Sequence, residues 1–411
     1  MQSLSLLCQQ TNAARIQTLL LVLFIALCPS LATPAHAQSA APNKSSSKLH
    51  GGIEIGSKGV KATAINFTRK GSSYDVKLLY SETINTTIMK VKDNRFTPEA
   101  LKETALAVQK IYTRLQQEYQ VPVEHIYVIG SSGLRAENKQ DLVTEIRAIT
   151  GKNLSFLTVE MEVQLSIAGT IPARRDDLLT VNERDAAMLI DIGSGNTKGG
   201  FQQAAPAPVT DVPVASFVTM GIPLGTVTFT NEAARQISDE KELRAFALNA
   251  ATLSPKLLNT PLRREIEKQP GLLTRQRVYL TGGIVWAMTT LMHPENRRAF
   301  VPLTVNDIDL FQHYTRNEMD TLLNPDLSYI SDELKRQEIK KEIEAVKAAF
   351  TPRNLMAGAE ILKAVATEFQ LENKKLWFAR FGHLSWILSY VRGQAEKQML
   401  AAEAAGPSAT K

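Results

Sequence analysis

From His50 onward, apolar and polar positions alternate with a period of two in three successive segments, "GIEIG", "VKATAINF" and "YDVKLLYSETI". The short turns "SKG" and "RKGSS" separate them, so the pattern predicts three consecutive strands. Helical spacing follows in "TPEALKETALAVQKIYTRLQQEY", with Thr97 as N-cap and Pro98 at the first helical position. "HIYVIG" predicts a buried strand and "AENKQDLVTEIRAIT" a helix. The pattern then restarts. "AMLIDIG", "SGN" and "TKGGFQQ" predict strand, turn and strand, and "PVASFVTM" a third strand before "GIPLGT". Helices, the strand "RVYLTGG" and mostly helical sequence carry the chain to about Gln398, and "AAEAAGPSATK" is expected to fray.

The restart is a repeat. When "GGIEIGSKGVKA" is aligned on "MLIDIGSGNTKGG", Ile53/Ile190, Ile55/Ile192, Gly56/Gly193, Ser57/Ser194 and Lys61/Lys198 are identical, and Glu54 faces Asp191. The pattern is therefore a duplicated α/β unit. In each copy a strand delivers an acid to its exit, and a glycine lets backbone amides approach a bulky anion. The turn that follows presents N–H groups and hydroxyls, the makings of an anion nest. One such turn is an ordinary hairpin. Two facing each other across a cleft would place two carboxylates near one metal and two loops around one phosphate chain.

Composition adds limits. The 411 residues leave room for two domains, and 44% hydrophobic with 21% charged residues is the balance of a soluble globular chain. The net charge of +6 is scattered rather than gathered into a basic face, so no nucleic-acid partner is expected. Arg15 precedes "IQTLLLVLFIALCPSLA", and "TPAHA" then ends in the small-x-small pattern of Ala35 and Ala37. This is the grammar of a secretory signal peptide over residues 1–37. Cleavage after Ala37, a periplasmic or secreted location and no stable membrane insertion after leader removal are the expectations. An uncleaved anchor is the other reading of the run. Both cysteines, Cys8 and Cys28, fall in the leader, so the mature chain would use neither disulfides nor cysteine-ligated zinc. Residues 38–49, small and polar, read as a linker.

The two acidic turns, with "VYLTGGIVWAM" as a third glycine motif, resemble the phosphate loops of the acetate and sugar kinase/heat-shock chaperone/actin superfamily. Within it, "VIGSSGLRAENK", "FLTVEMEVQLSIAG", "MGIPLGTVTFTNE" and "NLMAGAEILKAVATEF" are similar, in order and spacing, to motifs of the exopolyphosphatase/guanosine-pentaphosphate phosphohydrolase (Ppx/GppA) family. The resemblance runs from His50 to about Val391. It implies two duplicated actin-like (ribonuclease H-like) α/β domains with an interdomain cleft: 50–172, then 173–398 with terminal helices, then a tail over 399–411.

The resemblance further implies a magnesium-dependent phosphatase acting on terminal phosphoanhydride bonds of inorganic polyphosphate or a related anion, and the leader adds that it is exported. Guanosine pentaphosphate and a homodimer stay open. Glu54 and Asp191 would hold Mg²⁺. Ser57, Gly193, Ser194, Gly195, Asn196, Thr197, Gly282 and Gly283 would cradle phosphates. Arg135 would neutralise the transferred phosphoryl group, since its planar fork matches phosphate oxygens. Glu162 would orient and deprotonate the attacking water, with Glu160 as its stand-in. That division suits phosphoryl transfer, which needs positioning and charge stabilisation more than covalent chemistry. No Ser-His-Asp grouping or metal-ligand spacing of histidines points to another hydrolase class.

The sequence also departs from the family pattern. Glu54 stands for the usual Asp, Lys58 and Gly59 replace the end of the first loop, Lys198 stands where an acid is usual, and Gln164 replaces an Arg. These changes trade acid for base near the cleft and motivate the alternative, a non-catalytic module that grips polyphosphate or another anion. A kinase is disfavoured by the leader, because ATP is scarce outside the cytoplasm. On bland readings, Lys61 and Lys198 are strand-surface charges, Glu162 is a solvated face residue in the alternating "VEMEVQL", and Arg135 caps a turn.

Overall fold

The computed structural model describes residues 47–404, apart from 71–72, 90, 172–185, 204–215, 236, 238 and 240–241. The leader, most of the linker and the boundary at 172/173 lie outside the described residues. Two sheets organise the chain. The first contains β1 (Ser47–Gly56), β2 (Gly59–Lys70) and β3 (Ser73–Asn85). A small separate hairpin, β4 (Val91–Lys92) and β5 (Arg95–Phe96), follows. The first sheet is completed by β6 (Ile126–Gly130) and β7 (Leu154–Phe156), in the order β3-β2-β1-β6-β7. The second contains β8 (Ala187–Ile192), β9 (Thr197–Gln203), β10 (Ser216–Ile222), β11 (Arg277–Thr281), β12 (Phe300–Leu303) and β13 (Lys375–Ala379), in the order β10-β9-β8-β11-β13-β12.

The two orders are the same apart from one added edge strand. In each sheet an antiparallel meander of three strands is extended by two parallel strands: β1 pairs β6 and β6 pairs β7, as β8 pairs β11 and β11 pairs β13. The duplication expected from the hairpins is thus a duplication of topology. The result is a duplicated α/β architecture with two lobes and a cleft between them, as the resemblance implied.

Alternation along the strands explains how each lobe is packed. Ile53 and Ile55 point to one face of the first sheet, where they join Val108, Ile111 and Leu115 of the helix Pro98–Gln117. That helix starts as expected, with the Thr97 side chain accepting from the Ala100 N–H and Pro98 in the first turn. Met188, Ile190 and Ile192 point into the larger core of the second lobe. The opposite faces are covered by exchanged helices. Trp386, Ile387 and Val391 of the helix Gly382–Ala404 pack with Ile65 and Ile129 of the first sheet. Val163 and Ile167 of the helix Val159–Thr170 pack with Ala187, Leu189 and Tyr279 of the second. These two helices also pack on each other. Each buried Val, Leu, Ile or Met among them contributes about 1.5–3 kcal/mol.

Three expectations change. β1 begins at Ser47, so the linker expected over 38–49 yields its last residues to the sheet. The terminal helix runs to Ala404 rather than fraying from 399, because Met399 and Ala395 are buried against Phe67. A division near 172 also separates two helices from the sheets they cover, since apolar side chains near 163–171 belong to the second lobe's core and those near 386–391 to the first.

Candidate functional site

The exchanged helices decide where the acids point. Glu54 and Asp191 lie two residues beyond Gly52 and Leu189, on the faces that the two crossed helices cover. Both acids therefore aim into the seam between the lobes. There they line one cavity of about 140 Å³, with room for several waters or a small anion. Its walls are the first turn (Gly56, Ser57, Lys58, Gly59), the second (Gly193, Ser194, Gly195, Asn196) and the third glycine motif (Gly282, Gly283). Glu162, Lys61, Lys198, Ser131, Thr83, Thr226, Phe350, His383 and Trp386 complete them.

The turns touch across the seam. A Cβ on Gly195 would lie 2.5 Å from both the Gly133 carbonyl oxygen and the Ser57 hydroxyl, so only glycine permits this closeness. Gly282 has φ +101°, a conformation that favours glycine, and brings its backbone against Ile192 and Asp191. The Asn196 side-chain amide donates to the Ser132 hydroxyl at 3.0 Å. The Lys58 ammonium donates to the Ala349 carbonyl at 2.7 Å and lies 3.6 Å from the centre of the Phe350 ring.

Charge in the cavity is ordered by strand register. Lys61 is the cross-strand partner of Glu54, as Lys198 is of Asp191. The Lys61 ammonium meets Glu54 Oε1 at 3.1 Å. Lys198 meets Asp191 Oδ2 at 2.9 Å and Glu162 Oε1 at 3.0 Å, and donates to Asn196 Oδ1 at 3.2 Å. Glu162 Oε2 accepts the Ser132 N–H at 2.8 Å. Thr158 caps the helix that carries Glu162, accepting from the Met161 N–H, and the acid in its first turn suits the positive helix end.

Burial, Lys61 and Glu162 compete over Glu54. Burial is the largest influence and, with Glu162, raises its pKa despite Lys61. Burial would also raise Glu162, but Lys198 and the hydrogen bonds from Ser132 outweigh it and hold the carboxyl below its ordinary value. Burial would lower Lys198, yet Asp191 and Glu162 raise it, so it stays charged.

Solved structures share this architecture. An exopolyphosphatase-like protein aligns over 85% of this chain and 99% of its own, at 15% identity and a TM-score of 0.57. An Aquifex aeolicus member of the Ppx/GppA protein family aligns over 85% and 99%, at 14% identity and a TM-score of 0.54. This is the Ppx/GppA fold. An exopolyphosphatase from Cytophaga hutchinsonii gives 83% and 98%, at 14% identity and a TM-score of 0.51. No family model and no curated protein sequence matches the chain.

On this Ppx/GppA fold, ten of the thirteen expected site residues line the one cavity: Glu54, Ser57, Glu162, Asp191, Gly193, Ser194, Gly195, Asn196, Gly282 and Gly283. Three do not. Thr197 is buried with its hydroxyl donated to the Leu224 carbonyl at 2.9 Å. Glu160 lies exposed on the outer side of its helix, two residues from the buried Glu162, which makes it an unsuitable stand-in. Arg135 is exposed on the loop after β6 and is not part of the cavity wall.

Two bland readings are overturned. Glu162 is 2% exposed, because "VEMEVQL" is helical rather than extended. The Lys198 side chain is 3% exposed and central to the site, not a strand-surface charge. Lys61, 27% exposed in its side chain, lines the cavity too. The signal for both lysines was in the aligned hairpins, where acid and lysine recur at the same spacing. Lys58, Phe350, His383 and Trp386 carried no such signal.

The residues present do not fit the magnesium ion implied by the resemblance. Its two proposed ligands, Glu54 and Asp191, are each in ion pairs with lysine through one oxygen. The second Glu54 oxygen is buried without a hydrogen-bond partner, but Mg²⁺, which is held by one or two carboxylates and otherwise by water and phosphate oxygens, would have to compete with a lysine ammonium for each of these acids. Among the described residues no group of three or more His, Cys, Asp and Glu is placed to hold a metal.

Proposed function

We propose that this chain is a Ppx/GppA-type phosphohydrolase, cleaving terminal phosphoanhydride bonds of inorganic polyphosphate or a related polyphosphorylated anion by attack of water. The carrying observation is the convergence of both glycine-serine turns and the buried Glu162 on one interlobe cavity. Backbone N–H groups of the turns, with the Ser57 and Ser194 hydroxyls, would bind phosphate oxygens. Glu162 would orient the water and accept its proton; a deprotonated carboxylate held by Lys198 and Ser132 is available for that role. Arg135, exposed beside the cleft loops, would meet the outer phosphates of a longer chain. The leader motif supports action outside the cytoplasm without stable membrane insertion after its removal, and the scattered charge supports a partner other than nucleic acid.

A second reading, an anion-binding module without catalysis, is favoured by one observation. Both Glu162 oxygens are engaged, one by Lys198 and one by the Ser132 N–H. Phosphate release from polyphosphate, measured beside nucleotides and simple phosphomonoesters, separates the two. Release that is lost in Glu162→Gln supports the hydrolase; binding without release in the wild type supports the module. Full activity in Glu162→Gln would remove Glu162 from the mechanism.

A further inference from the structure

We infer that Lys198 is the resident cation of this cleft: its ammonium fills a three-oxygen position that would otherwise suit a divalent metal, and so excludes one. A lysine ammonium has three N–H donors and no acceptor. Here all three have oxygen partners, Asp191 Oδ2 at 2.9 Å, Glu162 Oε1 at 3.0 Å and Asn196 Oδ1 at 3.2 Å. Two carboxylates and an amide carbonyl are the oxygen types that hard cations take. The group is almost completely buried, so water does not share the task.

Register makes the arrangement more than a chance ion pair. Lys198 faces Asp191 across the second hairpin and Lys61 faces Glu54 across the first, in the same place of the repeat. The charged side chains lining the cavity are Glu54, Glu162 and Asp191 against Lys58, Lys61 and Lys198. Acid and base are equal in number, so no excess negative charge is left to draw in a divalent ion. With its donors used, Lys198 does not grip an incoming phosphate. It keeps the buried Glu162 and the partly exposed Asp191 from repelling the anion and fixes Glu162 in place.

The inference rests on the phosphate reading only for the identity of the ligand, not for the lysine's place. Its test is Mn²⁺ binding to the full chain, followed by electron paramagnetic resonance and calorimetry, because Mn²⁺ suits carboxylate and carbonyl oxygens. The wild type is expected to show no stoichiometric site. Lys198→Met, similar in length and uncharged, is expected to gain about one site per chain, lost again when Asp191→Asn is added. A wild-type site that disappears in Asp191→Asn overturns the inference, and this arm needs no Lys198 variant to fold. A folded Lys198→Met that binds no Mn²⁺ overturns it as well. Lys198→Arg, which keeps the charge, is expected to go on excluding Mn²⁺. Calorimetry with tripolyphosphate in the presence of a chelator separates the two claims. Absence of tripolyphosphate binding, with the Mn²⁺ results as expected, sinks the phosphate reading and leaves the lysine's role standing.

Discussion

The Lys58 ammonium reaches from the first hairpin turn to the Ala349 carbonyl, 2.7 Å away and 291 residues later in the chain. Ala349 ends the helix Glu333–Ala349, where carbonyls lack helical partners and the helix dipole favours a cation. The adjacent Phe350 ring adds a cation–π contact. This is a tie between the lobes at the wall of the cavity. Replacing Lys58 with Met removes the tie together with the cost of burying its charge, so little net change in the urea midpoint is expected near neutral pH. The substitution should still speed hydrogen exchange in both glycine-serine turns. Unchanged exchange would show that the tie does not hold the lobes.

Lys58 also gives this tie a pH signature. Burial lowers its pKa to about 8 from 10.5. Between those values the folded chain binds fewer protons than the unfolded one, so the cost of burying the charge is full below about pH 8 and relieved as pH rises towards 10.5. Stability should therefore gain over that window in the wild type and not in Lys58→Met, read as the urea midpoint at pH 7.5 and 10.

Gly195→Ala tests how closely the turns must meet. The new Cβ would lie 2.5 Å from the Gly133 carbonyl oxygen and the Ser57 hydroxyl, contacts that backbone cannot relieve locally. Separation of the turns, loss of polyphosphate binding by at least about tenfold and a stability loss of about 1–3 kcal/mol are expected. Wild-type affinity in this variant would mean that the closed arrangement is not the binding one.

His50 predicts a separate acid sensitivity outside the cavity wall. It is fully buried on β1, stacked on His125 with ring centroids 4.3 Å apart, and neither ring nitrogen has a hydrogen-bond partner. Burial first, then His125 and Lys48, lower its pKa to about 4 from 6.5. The unfolded chain takes up this proton near pH 6.5 and the folded one does not. Stability is thus lost as pH falls from about 6.5 towards 4, by at most about 3 kcal/mol. His50→Phe should flatten that slope; an unchanged slope assigns it elsewhere.

Glu162→Gln should reduce phosphate release by at least about a hundredfold if the carboxylate accepts the water's proton. Because Glu162 is held below its ordinary pKa of 4.5, its contribution to stability is present above that value and lost as pH falls through the lowered one. The variant should therefore lose part of the acid dependence of unfolding together with its activity, and retention of either would separate the two roles.

Much of this was legible in the chain itself. Period-two alternation found the meanders, and the Ile53/Ile190 and Ile55/Ile192 identities found the duplication, because packing faces repeat with strand pairing. The carboxylates Glu54 and Asp191 were legible for the same reason. What pattern did not reveal was cross-lobe geometry. Glu160 and Glu162 look alike in sequence, and only the helix rotation buries one of them. Lys198 looked like a solvated strand residue because its companion acid Glu162 comes from another element. Phe350, His383 and Trp386 reach the cavity through tertiary packing alone.

The crossed helices carry a consequence for synthesis. Trp386, Ile387 and Val391 seal a sheet whose first strand begins at Ser47. At ordinary translation speeds a nascent chain therefore carries that sheet with one apolar flank bare for roughly tens of seconds. The first half cannot mature ahead of the second, and premature termination anywhere before the last helix leaves an adhesive, unfinished protein rather than a smaller working one.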